Sequence, residues 1–270
     1  MTRRTSAKRK QKRKANDTEH QYSEPSTSRK RRKQPDDTVV EINAQNQGLH
    51  QAHSTRRSNL PLHAKTPAQE RYIKAIRQHC LTLGLGPAGT GKSYCAGALA
   101  AEALESGKIE RIILTRPAVE AGEQLGFLPG SLDEKFAVYI DAFRDILNER
   151  LGAGTVNYCI RHGRIVAAPL AFMRGKTFSE NTFVILDEAQ NTSTAQMKMF
   201  LTRIGEDCKV VINGDIRQSD IRGSNGLSDA VDKLTGLSGV YVHHFEYEDI
   251  VRSGLVKSII DRYEPQEMRV

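Results

Sequence analysis

The stretch with the clearest chemistry is a glycine-rich octapeptide that ends in a lysine and a serine. It fits the pattern G-x-x-x-x-G-K-[S/T] at every fixed position and consists of Gly86, Pro87, Ala88, Gly89, Thr90, Gly91, Lys92 and Ser93. Glycines at these positions let backbone N–H groups curl around phosphate oxygens, and the start of the following helix adds positive potential. Lys92 would bridge the β- and γ-phosphates, while Ser93 would ligate Mg²⁺. A structural glycine turn would need neither side chain, so we predict a nucleoside triphosphate site with Mg²⁺.

Two adjacent carboxylates supply the second half of the predicted site. An apolar run at 183–186 ends in Asp187 and Glu188, which is typical of a buried parallel strand that ends in a cleft. Asp187 would hold Mg²⁺ through water, and Glu188 would polarise the water that attacks the γ-phosphate. The same pair could simply cap a helix. Its combination with the phosphate-binding loop favours catalysis, and the second carboxylate favours hydrolysis over transfer to a substrate hydroxyl.

A third apolar run, at 209–213, leads into Gly214 and Asp215, with Gln218 three residues further on. Because neighbouring strand ends share one edge of a doubly wound sheet, Asp215 and Gln218 could sense the γ-phosphate. Gly-Asp is also ordinary turn chemistry, so the spacing leaves both interpretations open.

Gln69 also has two interpretations. Thr66, Pro67 and Gln69 have the spacing of a capping box, with Thr66 as the N-cap and Gln69 as the third helical residue. Its amide could equally read the two-faced edge of adenine. Local physics favours the cap.

The elements that must position these residues follow from the alternation of apolar runs with amphipathic stretches after about residue 58. Short apolar strands alternating with helices predict an α/β fold with a doubly wound and mostly parallel sheet. Ser131 and Glu134 have capping-box spacing and predict a helix start. The predicted strands are 80–85, 111–115, 164–168, 183–186, 209–213 and 240–245, and the predicted helices are 93–103, 131–149, 193–204, 227–234 and 254–263.

The first 60 residues have a different composition from the rest. They hold 15 of the 40 Lys and Arg residues, 6 of the 32 acidic residues and a single aromatic residue, Tyr22. Such a segment cannot bury enough apolar surface to offset its chain entropy. We therefore predict a disordered basic tail at 1–60 and one folded domain at 61–270. The clusters at 8–14 and 29–33 could bind nucleic-acid phosphates, act as a nuclear address, or be merely solvated.

Composition also excludes several classes of protein. No run approaches the ~18 apolar residues of a membrane-spanning helix. The N-terminus lacks the apolar region of a signal peptide. The cysteines lack CxxC or zinc-ligand spacing and are interpreted as reduced thiols: Cys80, Cys95, Cys159 and Cys208. The expected location is cytoplasmic, without a membrane partner.

With these motifs, the sequence resembles the PhoH family of P-loop ATPases, which is related to the nucleotide-binding core of superfamily 1 helicases. The resemblance covers roughly residues 66–263. Beside the phosphate-binding loop, it rests on the segments 115–123, 125–130, 173–175, 186–191, 214–218 and 249–252.

The resemblance implies the P-loop NTPase (RecA-like) form of this sheet. It also implies a Mg²⁺-dependent ATPase linked to RNA metabolism and phosphate-starvation responses. It also implies that Gln69 reads adenine, that Gln218 senses the γ-phosphate, and that Arg252 serves as an arginine finger on a neighbouring subunit's ATP. Arg116 and Arg174 become candidates for contacting nucleic acid or phosphate.

A single predicted lobe limits how such a protein could work. A monomeric helicase needs two lobes that close on ATP, so coupled motion would require a homo-oligomer, with a hexameric ring as the expected form. The first 60 residues are too polar for the PIN-type nuclease domain of some relatives, so we expect no nuclease activity. The alternative is a nucleotide-switched interaction module that is anchored to RNA or single-stranded DNA by its tail and does not unwind. A small-molecule kinase is disfavoured because nothing resembles an acceptor lid.

Overall fold

The computed structural model describes residues 61–117, 132–218, 225–252, 254–256 and 262, without the side chains of 132–140 and 142. The predicted basic tail lies outside these residues, as do Ser131 of the predicted capping box and most of the predicted helix at 254–263. None of the described helices is both long and apolar enough to cross a bilayer.

Every predicted strand is present, and the described strands form one sheet. The helices are α1 (Pro67–Gln78), α2 (Lys92–Glu105), α3 (Leu132–Leu151), α4 (Ala153–Arg161), α5 (Thr194–Leu201) and α6 (Gly226–Leu234). The strands are β1 (Leu81–Leu85), β2 (Arg111–Arg116), β3 (Ile165–Pro169), β4 (Thr182–Leu186), β5 (Lys209–Gly214) and β6 (Val240–His244). The pattern does not predict α4, because Gly152 and Gly154 flank its first residue.

The strand order is β3-β2-β4-β5-β1-β6, and all the neighbouring pairs are parallel. The carboxyl ends of all the strands therefore lie at one edge of the sheet. Strand β5 separates β1, which leads into the glycine-rich loop, from β4, which ends just before Asp187. This order places the predicted residues along one crevice and confirms the doubly wound P-loop NTPase fold.

The two faces of the sheet pack against different helices. On β4, Phe183 and Ile185 belong to a core that includes α1 to α4, whereas Val184 and Leu186 belong to a second core with α5 and α6. Successive strand residues point to opposite faces, so a strand covered on both sides is apolar throughout. This is why 183–186 is a continuous apolar run.

A buried aromatic cluster joins α1 to β6 and β5. The Tyr72 ring stacks on His243, with ring centroids 5.5 Å apart, and the Tyr72 hydroxyl donates to Asn213 Oδ1 at 2.5 Å. Burial, reinforced by the Arg71 charge, lowers the pKa of His243 to about 4 from an ordinary value of 6.5. His243 is therefore a neutral core residue near pH 7.

We expect His243 to make the folded domain sensitive to mild acid. Between pH 6.5 and about 4, the unfolded chain binds a proton on this imidazole that the folded chain does not, so the stability falls as the pH falls. The loss should reach about 2–3 kcal/mol by pH 4. Urea unfolding at pH 7 and pH 4.5 measures it: His243→Phe should reduce the difference between the two pH values. The exposed His162→Gln should not, and an equal pH difference in all three proteins would contradict the assignment.

Candidate nucleotide site

The glycine-rich loop connects β1 to the N-terminus of α2, and two of its glycines are required by geometry. Gly91, the N-cap of α2, has φ 88°, and a Cβ there would lie 2.6 Å from Gln69 Nε2. Gly86 has φ 131°, and a Cβ there would clash with the Phe245 carbonyl. The loop therefore curls tightly between α1 and the segment after β6, with the start of α2 behind it.

Lys92 is buried and folds back over this loop. Its Nζ donates to the carbonyl oxygens of Gly86 at 2.6 Å and Pro87 at 2.8 Å, and to Thr90 Oγ1 at 3.3 Å. Burial lowers the pKa of Lys92, and nearby carboxylates oppose that shift; they belong to Asp215, Asp187 and Glu188. The ammonium thus bonds to neutral oxygens that phosphate oxygens can replace.

The two halves of the predicted metal site meet. Ser93 Oγ donates to Asp187 Oδ1 at 2.9 Å, although the residues are far apart in sequence. Asp187 is buried, and its other oxygen accepts from Arg116 Nη2 at 2.6 Å. A hydroxyl and a carboxylate side by side, at the end of a phosphate-binding loop, are hard oxygen donors of the kind that Mg²⁺ takes together with phosphate. The residues present therefore fit Mg²⁺.

Glu188 lies next to the metal carboxylate but in a different setting. It is exposed and has φ 56° and ψ 38°, a left-handed conformation that is uncommon for a residue other than glycine. Its Oε2 accepts from the buried Gln190 Nε2 at 2.7 Å. Gln190 Oε1 in turn accepts from the Asp215 backbone N–H at 3.1 Å. Gln190 therefore connects Glu188 to the end of β5.

These groups line a cleft of about 290 Å³ at the carboxyl edge of the sheet. Its lining includes Asp187, Glu188, Asp215, Gln218 and Arg252, together with glycine-rich-loop residues. Asp215 Oδ1 accepts from the Arg217 backbone N–H at 3.1 Å, which is turn chemistry inside the cleft. The turn interpretation of the Gly-Asp pair is therefore confirmed, and γ-phosphate sensing by Asp215 and Gln218 stays a prediction.

Gln69 lies at the back of the glycine-rich loop. Thr66 caps α1, since its hydroxyl accepts from the Gln69 N–H at 3.1 Å, and Pro67 begins the helix. The reciprocal bond of the predicted capping box is absent among the described contacts, because Gln69 Oε1 accepts from the N–H of Lys65 at 2.8 Å rather than from that of Thr66. Gln69 Nε2 donates to the Thr90 carbonyl at 2.9 Å and so steadies the loop. Adenine reading by Gln69 stays a prediction.

Arg252 lies against the loop of its own chain. The Val251 N–H donates to the Gly89 carbonyl at 2.9 Å, and a Cβ on Gly89 would lie 3.0 Å from Arg252 Nε. Arg252 also lines the cleft of its own chain. Its action on a neighbour's nucleotide, which the resemblance implies, stays a prediction. Arg174, by contrast, is exposed at the end of the 3-10 turn Leu170–Met173 and is not among the residues that line the cleft.

A comparison with known proteins identifies the family of this chain. A family model described as "PhoH-like protein" matches residues 61–264. The chain belongs to the PhoH-like protein family.

Relatives in the PhoH-like family match over the same region. The chain is 48% identical over 207 residues to the PhoH-like protein of Bacillus subtilis (strain 168), and 48% identical over 211 residues to Protein PhoH of Escherichia coli (strain K12). The alignments cover 76% and 77% of this chain but only 65% and 59% of those relatives, so the chain spans less than two thirds of their length.

Solved structures also align with this PhoH-like chain, at low identity. The UvsW helicase from bacteriophage T4 aligns with a TM-score of 0.43 at 10% identity, covering 75% of this chain and 67% of the helicase. The large terminase from a thermophilic bacteriophage aligns with a TM-score of 0.44 at 10% identity, covering 74% of this chain and 51% of the terminase.

Sequence reasoning missed two contacts of this PhoH-like site. It assigned no role to Gln190, although the residue stands two positions after Glu188 in a segment that carries the family resemblance. It treated Arg116 only as a contact for nucleic acid or phosphate and did not pair it with Asp187. The proximity of Thr115 and Arg116 to Asp187 follows only once β2 and β4 are known to be neighbours.

Proposed function

We propose that this chain is a Mg²⁺-dependent ATPase. The observation that carries the proposal is the contact of Ser93 Oγ with Asp187 Oδ1, 2.9 Å, at the end of the glycine-rich loop. It joins a phosphate-binding element to a carboxylate at the end of a strand two positions away in the sheet. That combination serves triphosphate binding with a divalent cation.

Each side chain then has a role in binding. Lys92 would exchange the loop carbonyls for phosphate oxygens, and Ser93 and Asp187 would hold Mg²⁺, Asp187 through water. Mg²⁺, when bound, neutralises charge on the β- and γ-phosphate oxygens. Gln69, behind the loop, reads the adenine edge.

Glu188 is the proposed general base. It accepts a proton from the attacking water on its carboxylate, and the bond from Gln190 to Oε2 orients that carboxylate. Because Gln190 also accepts from the Asp215 N–H, it links the base to the turn that carries Gln218, the proposed γ-phosphate sensor. Gln190 is therefore a positioning residue.

Arg252 stabilises transition-state charge, and its location favours the nucleotide of its own chain. The contact of Val251 with Gly89 fixes the backbone beside it. We expect Arg252→Ala to lower turnover roughly 10³-fold.

A mixing experiment distinguishes action within one chain from action across an interface. Arg252→Ala and Lys92→Ala proteins, unfolded together and refolded as a 1:1 mixture, should show no recovery of ATPase activity, because neither chain has a complete site. If the arginine acted on a neighbour, about a quarter of randomly mixed interfaces would join two intact residues, and activity would return to about that fraction.

The larger proposal is that hydrolysis is coupled to RNA binding or remodelling by a homo-oligomer, expected as a hexameric ring in the cytoplasm. The link to phosphate starvation belongs to the same proposal. The ATPase rate with single-stranded RNA or DNA tests it in the full chain and in a variant without residues 1–60, with native mass measured alongside. Stimulation by RNA in both proteins supports coupling through the folded domain. Stimulation that disappears with the tail supports the alternative, a nucleotide-switched module anchored by residues 1–60.

A further inference from the structure

Arg116 is paired with the carboxylate that the proposed function reserves for Mg²⁺. Arg116 ends β2, and its Nη2 lies 2.6 Å from Asp187 Oδ2. The Asp187 side chain is 4% exposed and that of Arg116 is 24% exposed, so the pair is largely shielded from water. An ion pair in this setting is weakly screened by salt.

The register of the sheet imposes this pairing. Strands β2 and β4 are parallel neighbours, with Thr115 opposite Leu186, and the Asp187 N–H donates to the Thr115 carbonyl at 3.0 Å. Arg116 and Asp187 are the next residues on the two strands. The backbone therefore places the two residues side by side, and the conformation of the Arg116 side chain completes the contact.

Both oxygens of Asp187 have partners in the described structure. Ser93 donates to Oδ1, and Arg116 donates to Oδ2. Arg116 itself is only partly satisfied, because its buried Nε has no hydrogen-bond partner among the described residues. A guanidinium has five N–H donors in a fixed fork, so this arrangement leaves one buried donor that another position of the side chain could satisfy.

Mg²⁺ and the Arg116 guanidinium would both need the carboxylate oxygens of Asp187. Two positive centres on the same buried group repel each other strongly. Mg²⁺ usually keeps several waters, and a metal-bound water that donates to Asp187 would need a carboxylate oxygen that Ser93 or Arg116 now occupies.

We propose that Arg116 is a resident counterion that competes with Mg²⁺ for Asp187: it holds the carboxylate in the nucleotide-free chain and leaves it when the metal–nucleotide complex binds. This inference rests on the proposed function. The position of the Arg116 side chain, at the carboxyl end of β2, then depends on whether Mg²⁺ and nucleotide are bound. Arg116 acts through Asp187 and is a positioning residue.

The test is the metal dependence of nucleotide binding in the full chain. The dissociation constant of the fluorescent nucleotide mant-ADP is measured by anisotropy, once with EDTA and once with Mg²⁺. The value with EDTA divided by the value with Mg²⁺ gives the contribution of the metal to binding. Arg116→Gln should raise this ratio about tenfold over the wild type, within the usual range for coupled ligands. Arg144→Gln is the matched control, since it breaks an exposed Arg–Asp pair, 3.1 Å to Asp141, away from the cleft; its ratio should stay within about twofold.

Other outcomes of this experiment would contradict the proposal. An unchanged or lowered ratio in Arg116→Gln would overturn competition and make Arg116 a permanent support of the metal carboxylate. Arg116→Lys, which keeps the charge but loses the fork, should give an intermediate ratio and serves if the glutamine variant does not fold. If wild type binds mant-ADP without any Mg²⁺ dependence, the proposed function fails together with this inference. A normal dependence in the wild type with no change in Arg116→Gln removes the inference alone.

Discussion

Replacing Glu188 with glutamine should lower ATP turnover by about 10³-fold or more and leave nucleotide affinity within about threefold. Glutamine keeps the size of the side chain and its ability to accept the hydrogen bond from Gln190, but it cannot take a proton from water. Glu188 is exposed in the cleft and makes no ion pair in the described structure that its loss would break. Single-turnover hydrolysis and mant-ATP binding, measured on the same protein, separate the two effects.

Glu206→Gln is the matched control for this variant. It makes the same chemical change at an exposed position before β5, at the opposite edge of the sheet, and should leave both quantities unaltered. Normal turnover by Glu188→Gln would remove Glu188 as the base. A loss of nucleotide binding in this variant would instead mean that the carboxylate serves affinity.

Lys92→Ala should abolish turnover and weaken triphosphate binding by roughly 10²-fold. The ammonium is the one described lysine group placed over the loop carbonyls, and a charge-assisted bond to phosphate has no substitute in alanine. Isothermal titration with a non-hydrolysable ATP analogue and Mg²⁺ measures the loss of affinity.

Lys209→Ala provides an unusually close control. Lys209 Nζ also donates to two backbone carbonyls, those of His79 at 2.7 Å and Arg77 at 3.2 Å, and burial also lowers its pKa. It lies at the start of β5, whereas the cleft lies at the end of that strand. Its loss should change thermal stability to an extent comparable with the loss of Lys92 and leave nucleotide affinity within about threefold. Equal losses of affinity in both variants would show that general destabilisation, not phosphate contact, explains the Lys92 result.

Much of the fold could be predicted because its signals are local. The run at 183–186 is apolar on both faces, which a strand covered by helices requires, and it corresponds to β4. Thr66 and Pro67 mark the start of α1 because a hydroxyl and a missing N–H suit the first turn of a helix. Helix α4 escaped prediction because its packing against α3 and β3 overrides the low helix propensity of Gly154.

The candidate site was predictable residue by residue but not contact by contact. The octapeptide at 86–93 indicates phosphate binding because few other chemistries need glycines, a lysine and a hydroxyl at that spacing. The sequence gives Asp187 and Glu188 different predicted roles but says nothing of their surroundings. The structure separates them: Asp187 is buried between Ser93 and Arg116, whereas Glu188 is exposed in a left-handed conformation and held by Gln190.

The sequence by itself determined which residue types are available: a phosphate-binding loop, strand-end carboxylates and six strands that alternate with helices. The tertiary structure decided which of them touch. Strand β5 lies between β1 and β4, and β2 lies beside β4, so Ser93 meets Asp187, Arg116 meets the same carboxylate, and Gln190 bridges to Asp215. The position of Arg252 on Gly89 of its own chain is likewise a long-range contact. The physical reason is that hydrophobic patterning specifies which faces are buried, whereas strand order, which no local pattern encodes, specifies which strand ends become neighbours.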